Sequence, residues 1–266
     1  MKFKEDFEFG LFVEDNRMEI QDYYLHLGRY KFASRFVKDK LCLDLGCGTG
    51  YGSSFLVKKG AKTVVGGDKS EKALFYAKSC YKSKQRKSLE FVYLNATSLP
   101  FLDSSFDVVI SFELIEHLKN YERFLLEIKR VLKRGGVLIL STPSRRVGSI
   151  VLTDWKYHLH EFSKEELLGL VNKYFVSSKM YGQHSLDGIN LVLRRVRRTA
   201  RRLLQTLGMR KVQILLSRLF RYNRLVPCRM DDFDEIPDKE KVVLLTDNST
   251  PIAFVVTARK PVRVSS

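Results

Sequence analysis

The sequence predicts an α/β fold in which helices wind around both faces of a parallel sheet. Short apolar stretches alternate with helix-like stretches from about residue 41 to residue 183, a pattern that is typical of parallel sheets. A loop with glycine at every second position follows the first apolar stretch, and a carboxylate ends the second. Because ligands of such sheets bind outside the carboxyl ends of the strands, we expect the functional residues to follow the strands.

The predicted elements follow one another along a chain of 266 residues, 44% of them hydrophobic, which is enough to bury a full core. One domain with an insertion fits this length better than two independent domains. A helix is predicted at residues 23–37, and the first strand begins at Leu41. The other strands are predicted at residues 63–68, 89–94, 106–111, 135–143, 174–182 and 251–260.

The loop after the first strand has the composition of a site for a bulky adenosine cofactor. Its glycines, Gly46, Gly48 and Gly50, can adopt backbone angles closed to other residues and let the main chain approach a ligand closely. A dinucleotide fingerprint would need a third glycine or alanine where Tyr51 stands, which argues against NAD. Asp68 ends the second strand roughly 20 residues later, where a carboxylate can accept both ribose hydroxyls.

Further motifs make the chain resemble the class I S-adenosylmethionine-dependent methyltransferases, in particular the methyltransferase type 11 subgroup that includes ubiquinone-biosynthesis enzymes. The motifs lie at residues 44–50, 67–70, 99–101, 105–109, 113–118, 127–132, 141–143 and 160–163. The resemblance covers about residues 26–183 and the final strand. It implies a Rossmann-like, seven-stranded, mostly parallel sheet with an antiparallel last strand, and S-adenosyl-L-methionine as cofactor.

The resemblance also implies which residues hold this cofactor. Asp44 and the loop would hold its amino acid part, Asp68 its ribose, and Asn95 and Ala96 its adenine edge. Asn95 stands where the family usually has aspartate, but its amide oxygen can still accept a hydrogen bond from the adenine amino group. The complete set of cofactor-binding candidates is Arg29, Asp44, Gly46, Cys47, Gly48, Gly50, Asp68, Lys69, Asn95, Ala96 and Ser111.

Two of these candidates have equally good alternatives. Arg29 and its neighbour Tyr30 occupy a position where relatives often close over the cofactor, and either side chain could hold the cofactor's carboxylate or simply pack at the surface. Lys69 could lie near the adenine or extend into solvent.

The catalytic candidates are acidic and histidine side chains that follow the fourth and fifth strands. Methyl transfer from a sulfonium needs a base only if the acceptor must lose a proton, and imidazole titrates near neutral pH. The candidates are Glu113, Glu116, His117, His158 and His160, the first three with the i, i+3, i+4 spacing of one helix face. These carboxylates and imidazoles could instead hold a divalent metal, or only bridge two loops.

A basic segment precedes the last strand and is predicted to be an insertion. Residues 194–229 hold 12 lysines and arginines and no acidic residue, in a chain whose net charge is +17. Their apolar periodicity predicts two amphipathic helices that meet near Gly208. We therefore divide the chain into a methyltransferase domain, residues 1–183 and 249–266, and a helical insertion, residues 184–248, that caps the active site.

The insertion could contact an anionic membrane surface, an RNA backbone, or the sheet itself as a lid. The leucine-rich stripe favours the membrane, whereas RNA is disfavoured because only Phe220 and Tyr222 are available for base stacking. The predicted location is cytoplasmic, with peripheral binding at the inner membrane face, because neither a secretory signal nor a membrane span is visible. The four cysteines lack CxxC spacing and indicate neither a disulfide framework nor a metal site.

The predicted function is methylation of a small or lipid-linked acceptor, such as a quinone precursor, a lipid or a glycan intermediate, with oxygen as the favoured atom. Two alternatives stay open: an RNA methyltransferase, and a regulatory protein that binds S-adenosylmethionine without catalysis. Against methylation of a base amino group, the fourth strand is followed by residues 111–114, SFEL, instead of an Asn/Asp-Pro-Pro-Tyr motif.

Overall fold

The computed structural model describes residues 20–81, 88–144, 158–183, 242–244 and 253–262. The helices in these ranges are α1 Ile20–Ala33, α2 Tyr51–Lys58, α3 Glu71–Tyr81, α4 Tyr121–Val131 and α5 Lys164–Asn172. The strands are β1 Leu41–Leu45, β2 Thr63–Asp68, β3 Leu89–Tyr93, β4 Phe106–Phe112, β5 Leu132–Pro143, β6 Val176–Gln183, β7 Val242–Leu244 and β8 Ala253–Arg259.

The strands form one mixed sheet in the order β3-β2-β1-β4-β5-β8-β6-β7. Strands β1 to β5 pair in parallel, while β8 is antiparallel to β5 and β6 is antiparallel to β8. The predicted mostly parallel sheet with an antiparallel last strand is confirmed. The strand order reverses between β1 and β4, which is the point where open α/β sheets bind ligands.

The parallel strands are covered on both faces because both alternating sets of their side chains are apolar. In β4, Val108 and Ile110 point into the core formed with α1, α2 and α3, whereas Val109 points into the core formed with α4 and α5. Two buried faces explain why these strands have continuous apolar runs instead of alternating polar residues.

The last part of the predicted insertion joins the sheet. Strand β7 pairs antiparallel with β6 and adds an eighth strand to the seven that were predicted. Its sequence, Val-Val-Leu, suits a pleated surface because β-branched residues are favoured in strands.

By its contacts the chain divides into one unit of Met1–His184 with Cys228–Ser266 and a second unit of Ser185–Pro227. The second unit lies outside the described residues. The amphipathic helices, their role as a cap and their contact with membrane or RNA therefore stay predictions.

Two further expectations concern cysteines and membranes. Cys42 and Cys47 are buried free thiols, but Cys80 is disulfide-bonded. The lack of CxxC spacing therefore did not predict the state of Cys80. Within the described ranges, no helix is long and apolar enough to cross a membrane.

Candidate active site

The glycine loop between β1 and α2 has the left-handed backbone that its sequence predicts. Gly46, Gly48 and Gly50 have φ angles of 75°, 52° and 79°, a region that favours glycine. A Cβ atom on Gly50 would also lie 2.5 Å from Cζ of Phe91. The loop is thus held in a shape that favours glycine, at the carboxyl edge of the sheet.

Asp44 lies beneath this loop and is sealed by hydroxyl groups. Its carboxylate accepts a hydrogen bond from Ser53 Oγ at 2.6 Å and from Tyr30 Oη at 3.2 Å to each oxygen. Burial raises the pKa of Asp44 to about 7. For Tyr30 both contact with the cofactor's carboxylate and packing at the surface were open; the structure instead has it join α1 to Asp44 inside the fold.

Asp68 connects the end of β2 to the glycine loop. Its Oδ2 accepts a hydrogen bond from the backbone N–H of Gly48, and its Oδ1 accepts one from Ser70, both at 2.8 Å. Burial raises the pKa of Asp68 despite these bonds. A carboxylate offers about four acceptor sites, so Asp68 can still accept bonds from a diol. Lys69 beside it is exposed.

In the turn after β3, the side-chain oxygen of Asn95, which was predicted to bind adenine, is already hydrogen-bonded within the protein. Asn95 Oδ1 accepts hydrogen bonds from the backbone N–H and the hydroxyl of Thr97, at 3.0 and 2.9 Å. Asn95 therefore shapes an Asx turn with its oxygen, and its amide nitrogen is the group left to meet a ligand. Ala96 beside it is buried.

The loop that follows this turn is fixed by an ion pair on α4. Glu127 Oε2 accepts a hydrogen bond from the backbone N–H of Leu99 at 2.7 Å and lies 2.9 Å from Arg130 Nη2. Arg130 donates in turn to the backbone carbonyls of Leu99 and Phe101. Charge-assisted bonds of this kind are stronger than neutral ones, so the segment from Leu99 to Phe101 is anchored to α4.

Arg29, a residue of α1, is buried, with 4% of its surface exposed, and its side chain extends from the helix to the sheet. Its Nε donates a hydrogen bond to Gln183 Oε1 at 2.8 Å, and its Nη1 lies 3.4 Å from Glu113 Oε1. Glu113 Oε1 also accepts a hydrogen bond from Ser141 Oγ at 2.7 Å. Sequence reasoning missed Gln183, since no local pattern marks a partner that lies 154 residues from Arg29.

The spacing of Glu113, Glu116 and His117 would place them on one face of a helix, but the structure has no α-helix over these residues. Glu113 has a left-handed φ of 51°, and only a single 3₁₀ turn, Ile115–His117, follows it. A left-handed residue breaks a right-handed helix. The turn nevertheless brings Glu116 and His117 together, while it directs Glu113 to Arg29 instead.

Glu116, His117 and His158 form a compact cluster at the carboxyl edge. One donor or acceptor atom of each lies within 4.8 Å of those of the other two. Glu116 is fully buried, its Oε1 lies 4.0 Å from His117 Nε2, and its Oε2 accepts a hydrogen bond from Thr142 Oγ1. Burial, with a smaller contribution from Glu113, raises the pKa of Glu116. The two imidazole rings are 4.9 Å apart between centroids.

His160, the remaining catalytic candidate, lies outside this cluster. Its ring packs against Phe162 and Tyr121, at centroid distances of 4.4 and 5.7 Å. Its Nε2 lies 3.9 Å from Glu166 Oε2, the carboxylate that completes the N-terminal capping box of α5. These contacts give His160 a local structural role, so its prediction as a base is not supported.

The comparison with protein families now identifies the domain. Residues 43–140 match the family model described as a methyltransferase domain. This is a class I S-adenosylmethionine-dependent methyltransferase domain. The match spans the glycine loop, Asp68, Ser111 and the turn with Glu116 and His117, so the methyltransferase domain contains both the loop and most of the cluster.

Curated relatives agree with this family. Over 147 residues the chain is 35% identical to a probable S-adenosylmethionine-dependent methyltransferase of Mycobacterium tuberculosis. The aligned region covers 53% of this chain and 50% of that protein. It is 32% identical over 120 residues to the ubiquinone biosynthesis O-methyltransferase of Agrobacterium fabrum, covering 45% and 47%. The chain spans about half the length of the curated relatives it matches.

Solved structures share the fold of the methyltransferase domain. An S-adenosylmethionine-dependent methyltransferase from Mesorhizobium loti has a TM-score of 0.53 at 17% identity and covers 89% of this chain and 100% of that one. The [4+2]-cyclase SpnF has a TM-score of 0.56 at 20% identity and covers 94% and 86%. Because a cyclase shares this fold, the reaction has to be argued from the site.

Buried polar atoms at the carboxyl edge fit the family's cofactor. Thr49 Oγ1, Ser111 Oγ and Arg29 Nη1 are buried and have no hydrogen-bond partner among the described residues. Ser111 pairs in register with Leu45, directly before the glycine loop. Buried polar groups are nearly always satisfied, so unsatisfied atoms beside this loop are expected where a ligand supplies the partner. These three atoms are therefore candidates for hydrogen bonds to S-adenosylmethionine.

Proposed function

We propose that this protein transfers a methyl group from S-adenosylmethionine to a hydroxyl oxygen of a small or lipid-linked acceptor. The observation that carries the proposal is the cluster of Glu116, His117 and His158 at the same sheet edge as the glycine loop. It supplies an imidazole base that methyl transfer to a hydroxyl can use.

The cofactor is held by the glycine loop and by the side chains around it. Asp68 accepts hydrogen bonds from the ribose hydroxyls, and Arg29 binds the carboxylate of the amino acid part. The hydroxyls of Thr49 and Ser111 form hydrogen bonds to the same part of the cofactor. The turn at Asn95 and Ala96 borders the adenine. S-adenosylmethionine supplies a methyl group already activated on a sulfonium, so these residues act by alignment, which can contribute about 7–11 kcal/mol to lowering the barrier.

His117 accepts the proton that the acceptor hydroxyl loses. Its ring is partly exposed, with 27% of the side chain accessible, so an acceptor can reach it. Glu116 Oε1 lies 4.0 Å from His117 Nε2, on the buried side of the cluster. His158 borders the same space from the other side.

The acceptor class is suggested by the names of relatives. One relative, 30% identical over 177 residues, is the phthiotriol/phenolphthiotriol dimycocerosates methyltransferase of Mycobacterium leprae. Another, 27% identical over 195 residues, is the fatty-acid O-methyltransferase of Mycolicibacterium smegmatis. Both names point to lipid acceptors, which agrees with a lipid-linked acceptor for this chain.

The test is transfer of label from methyl-labelled S-adenosylmethionine into a cell extract that is then separated into lipid, small-molecule, RNA and protein fractions. Label in the lipid or small-molecule fraction, stable to mild acid as an ether, is expected. Label in RNA would replace this acceptor by nucleic acid, and cofactor binding without label in any fraction would favour a non-catalytic protein.

The base is tested with two histidine variants. His117→Ala should lower turnover about 10²- to 10⁴-fold while binding of S-adenosylhomocysteine stays unchanged. The matched control is His160→Ala, which removes an imidazole outside the cluster and should leave turnover within about twofold. Equal losses in the two variants would contradict the assignment of His117.

Glu116, His117 and His158 have side chains that could also hold a divalent cation. Our proposal uses His117 as a base, so turnover should persist in EDTA. If EDTA abolished turnover and Mg²⁺ or Mn²⁺ restored it, activation of the hydroxyl by a metal would replace the base.

A further inference from the structure

Gln183 is a buried polar residue that the proposed reaction does not use directly. It is the last residue of β6 and has no exposed surface. Its Oε1 accepts the hydrogen bond from Arg29 Nε, and its Nε2 donates to the backbone carbonyl of Leu25, both at 2.8 Å. One amide thus binds both the side chain of Arg29 and the backbone of the helix that carries it.

Gln183 lies at the edge of the sheet where the cofactor site is proposed. Because β6 is antiparallel to β8 and β8 is antiparallel to β5, β6 runs parallel to β1 to β5. Its last residue therefore lies at the same carboxyl edge as Ser111 and the glycine loop. Arg29 reaches this edge from α1 and is held by Gln183 at Nε, with Glu113 beside Nη1.

The chemistry of the two partners leaves the guanidinium able to bind an anion. Gln183 is neutral, so it orients Arg29 without neutralising it. Glu113 Oε1 forms an ion pair with Nη1 at 3.4 Å, but Nη1 donates no hydrogen bond within the described residues, so this donor remains available to a ligand. A buried guanidinium with an unsatisfied donor is ready to bind a carboxylate, because a charged hydrogen-bond partner offsets the cost of its burial.

We infer that Gln183 is a positioning residue that orients Arg29 Nη1 toward the carboxylate of bound S-adenosylmethionine. The inference rests on the proposed function, since it assumes that the cofactor binds at this edge. Gln183 does not touch the cofactor itself; it fixes the guanidinium through Nε and fixes α1 through Leu25.

The experiment compares two ligands of the full chain by calorimetry. They are S-adenosylhomocysteine and its decarboxylated analogue S-adenosyl-3-thiopropylamine, which lacks only the carboxylate. The readout is the dissociation constant of the analogue divided by that of S-adenosylhomocysteine. This ratio reports recognition of the carboxylate alone. Gln183→Met, a neutral side chain of similar length, should lower this ratio at least about tenfold, the loss expected for a charge-assisted hydrogen bond, and leave the affinity for the analogue within about twofold.

Three further variants separate positioning from a general structural effect. Arg29→Met should lower the ratio as much as Gln183→Met, and the double variant should lower it no further, because Gln183 affects recognition of the carboxylate only through the side chain of Arg29 and the helix that carries it. Met180→Ala disturbs a buried residue of the same strand and should leave the ratio unchanged. Gln183→Glu, used also if the methionine variant does not fold, should lower the ratio because a second carboxylate competes for Arg29.

The outcomes distinguish this inference from the proposed function. If wild-type protein binds neither ligand, the proposed cofactor site is wrong and the inference fails with it. If the wild type prefers S-adenosylhomocysteine but Gln183→Met and Gln183→Glu keep that preference, the inference alone is overturned. An equal loss of affinity for both ligands would likewise overturn it, because that result describes a structural residue.

Discussion

Replacing Asp44 by asparagine should remove a large pH dependence from the free energy of unfolding. The carboxylate of Asp44 is fully buried beneath the glycine loop and accepts hydrogen bonds from Ser53 and Tyr30. Burial raises its pKa from 3.8 to about 7, and these two hydroxyls only partly oppose the shift. The folded protein therefore binds a proton at a pH where the unfolded chain has already released it.

The sign and size of the effect follow from this difference. Between about pH 4 and pH 7 the folded state holds one more proton at Asp44 than the unfolded state, so stability falls as the pH rises. A shift of about 3 pKa units from 3.8 to about 7 corresponds to about 4 kcal/mol at roughly 1.4 kcal/mol per unit. The cost is absent below pH 4 and fully present above pH 7.

The assay is urea unfolding followed by circular dichroism at several pH values between 4.5 and 7.5. Asp44→Asn should match the wild type near the lower limit and become progressively more stable than it toward the upper limit. Other groups, such as His26, whose pKa is lowered by burial, cancel in the difference between the two proteins. The control is Asp39→Asn, an exposed site with a left-handed φ of 59° that asparagine tolerates. Parallel pH profiles for the wild type and Asp44→Asn would refute the reasoning.

Two stability predictions follow from packing and from a buried ion pair. Gly52→Ala would bring Cβ to 1.9 Å from Cζ of the Tyr30 ring, so we expect a loss of about 1–3 kcal/mol in urea unfolding. Gly169→Ala in α5 has no atom within 4 Å of the new Cβ and should be neutral or stabilising by up to about 1 kcal/mol; equal losses would contradict the clash. Glu127→Ala should cost about 1–3 kcal/mol because it leaves the buried backbone N–H of Leu99 without its partner. Glu122→Ala on the same helix removes an exposed pair worth less than about 1 kcal/mol. A loss at Glu122 as large as that at Glu127 would count against this explanation.

The strands of the parallel sheet could be predicted because each is bounded by local signals. Strand β2 has the predicted limits, Thr63–Asp68, since apolar residues lead directly into a carboxylate at the strand end. The glycine loop has the predicted left-handed backbone for the same local reason. Periodicity and turn residues are signals that extend over only a few neighbouring positions. Such local signals are sufficient to predict the parallel strands and the glycine loop.

The errors arose where a backbone angle or a distant partner decides the outcome. The spacing of Glu113 is compatible with a helix face, but its left-handed φ is incompatible with a right-handed helix. Its side chain points to Arg29 instead. His160 has the residue type of a base, yet its ring packs on Phe162. Gln183 could not be found from the sequence because its partner is brought to it only by the order of strands in the sheet.

Asp44 and Asp68 were both predicted to contact the cofactor, but the two carboxylates differ in the folded protein. Asp44 lies inside the ladder, in register with Gly66 on one side and Ile110 on the other, so neighbouring strands shield it. Asp68 is the last residue of its strand and is only partly buried. Within the sheet, the carboxylate of Asp44 accepts its hydrogen bonds from the hydroxyls of Tyr30 and Ser53, whereas one at the strand end retains acceptor capacity toward the edge where ligands bind. The contact with ribose is therefore expected from Asp68, while Asp44 acts through the loop that it supports.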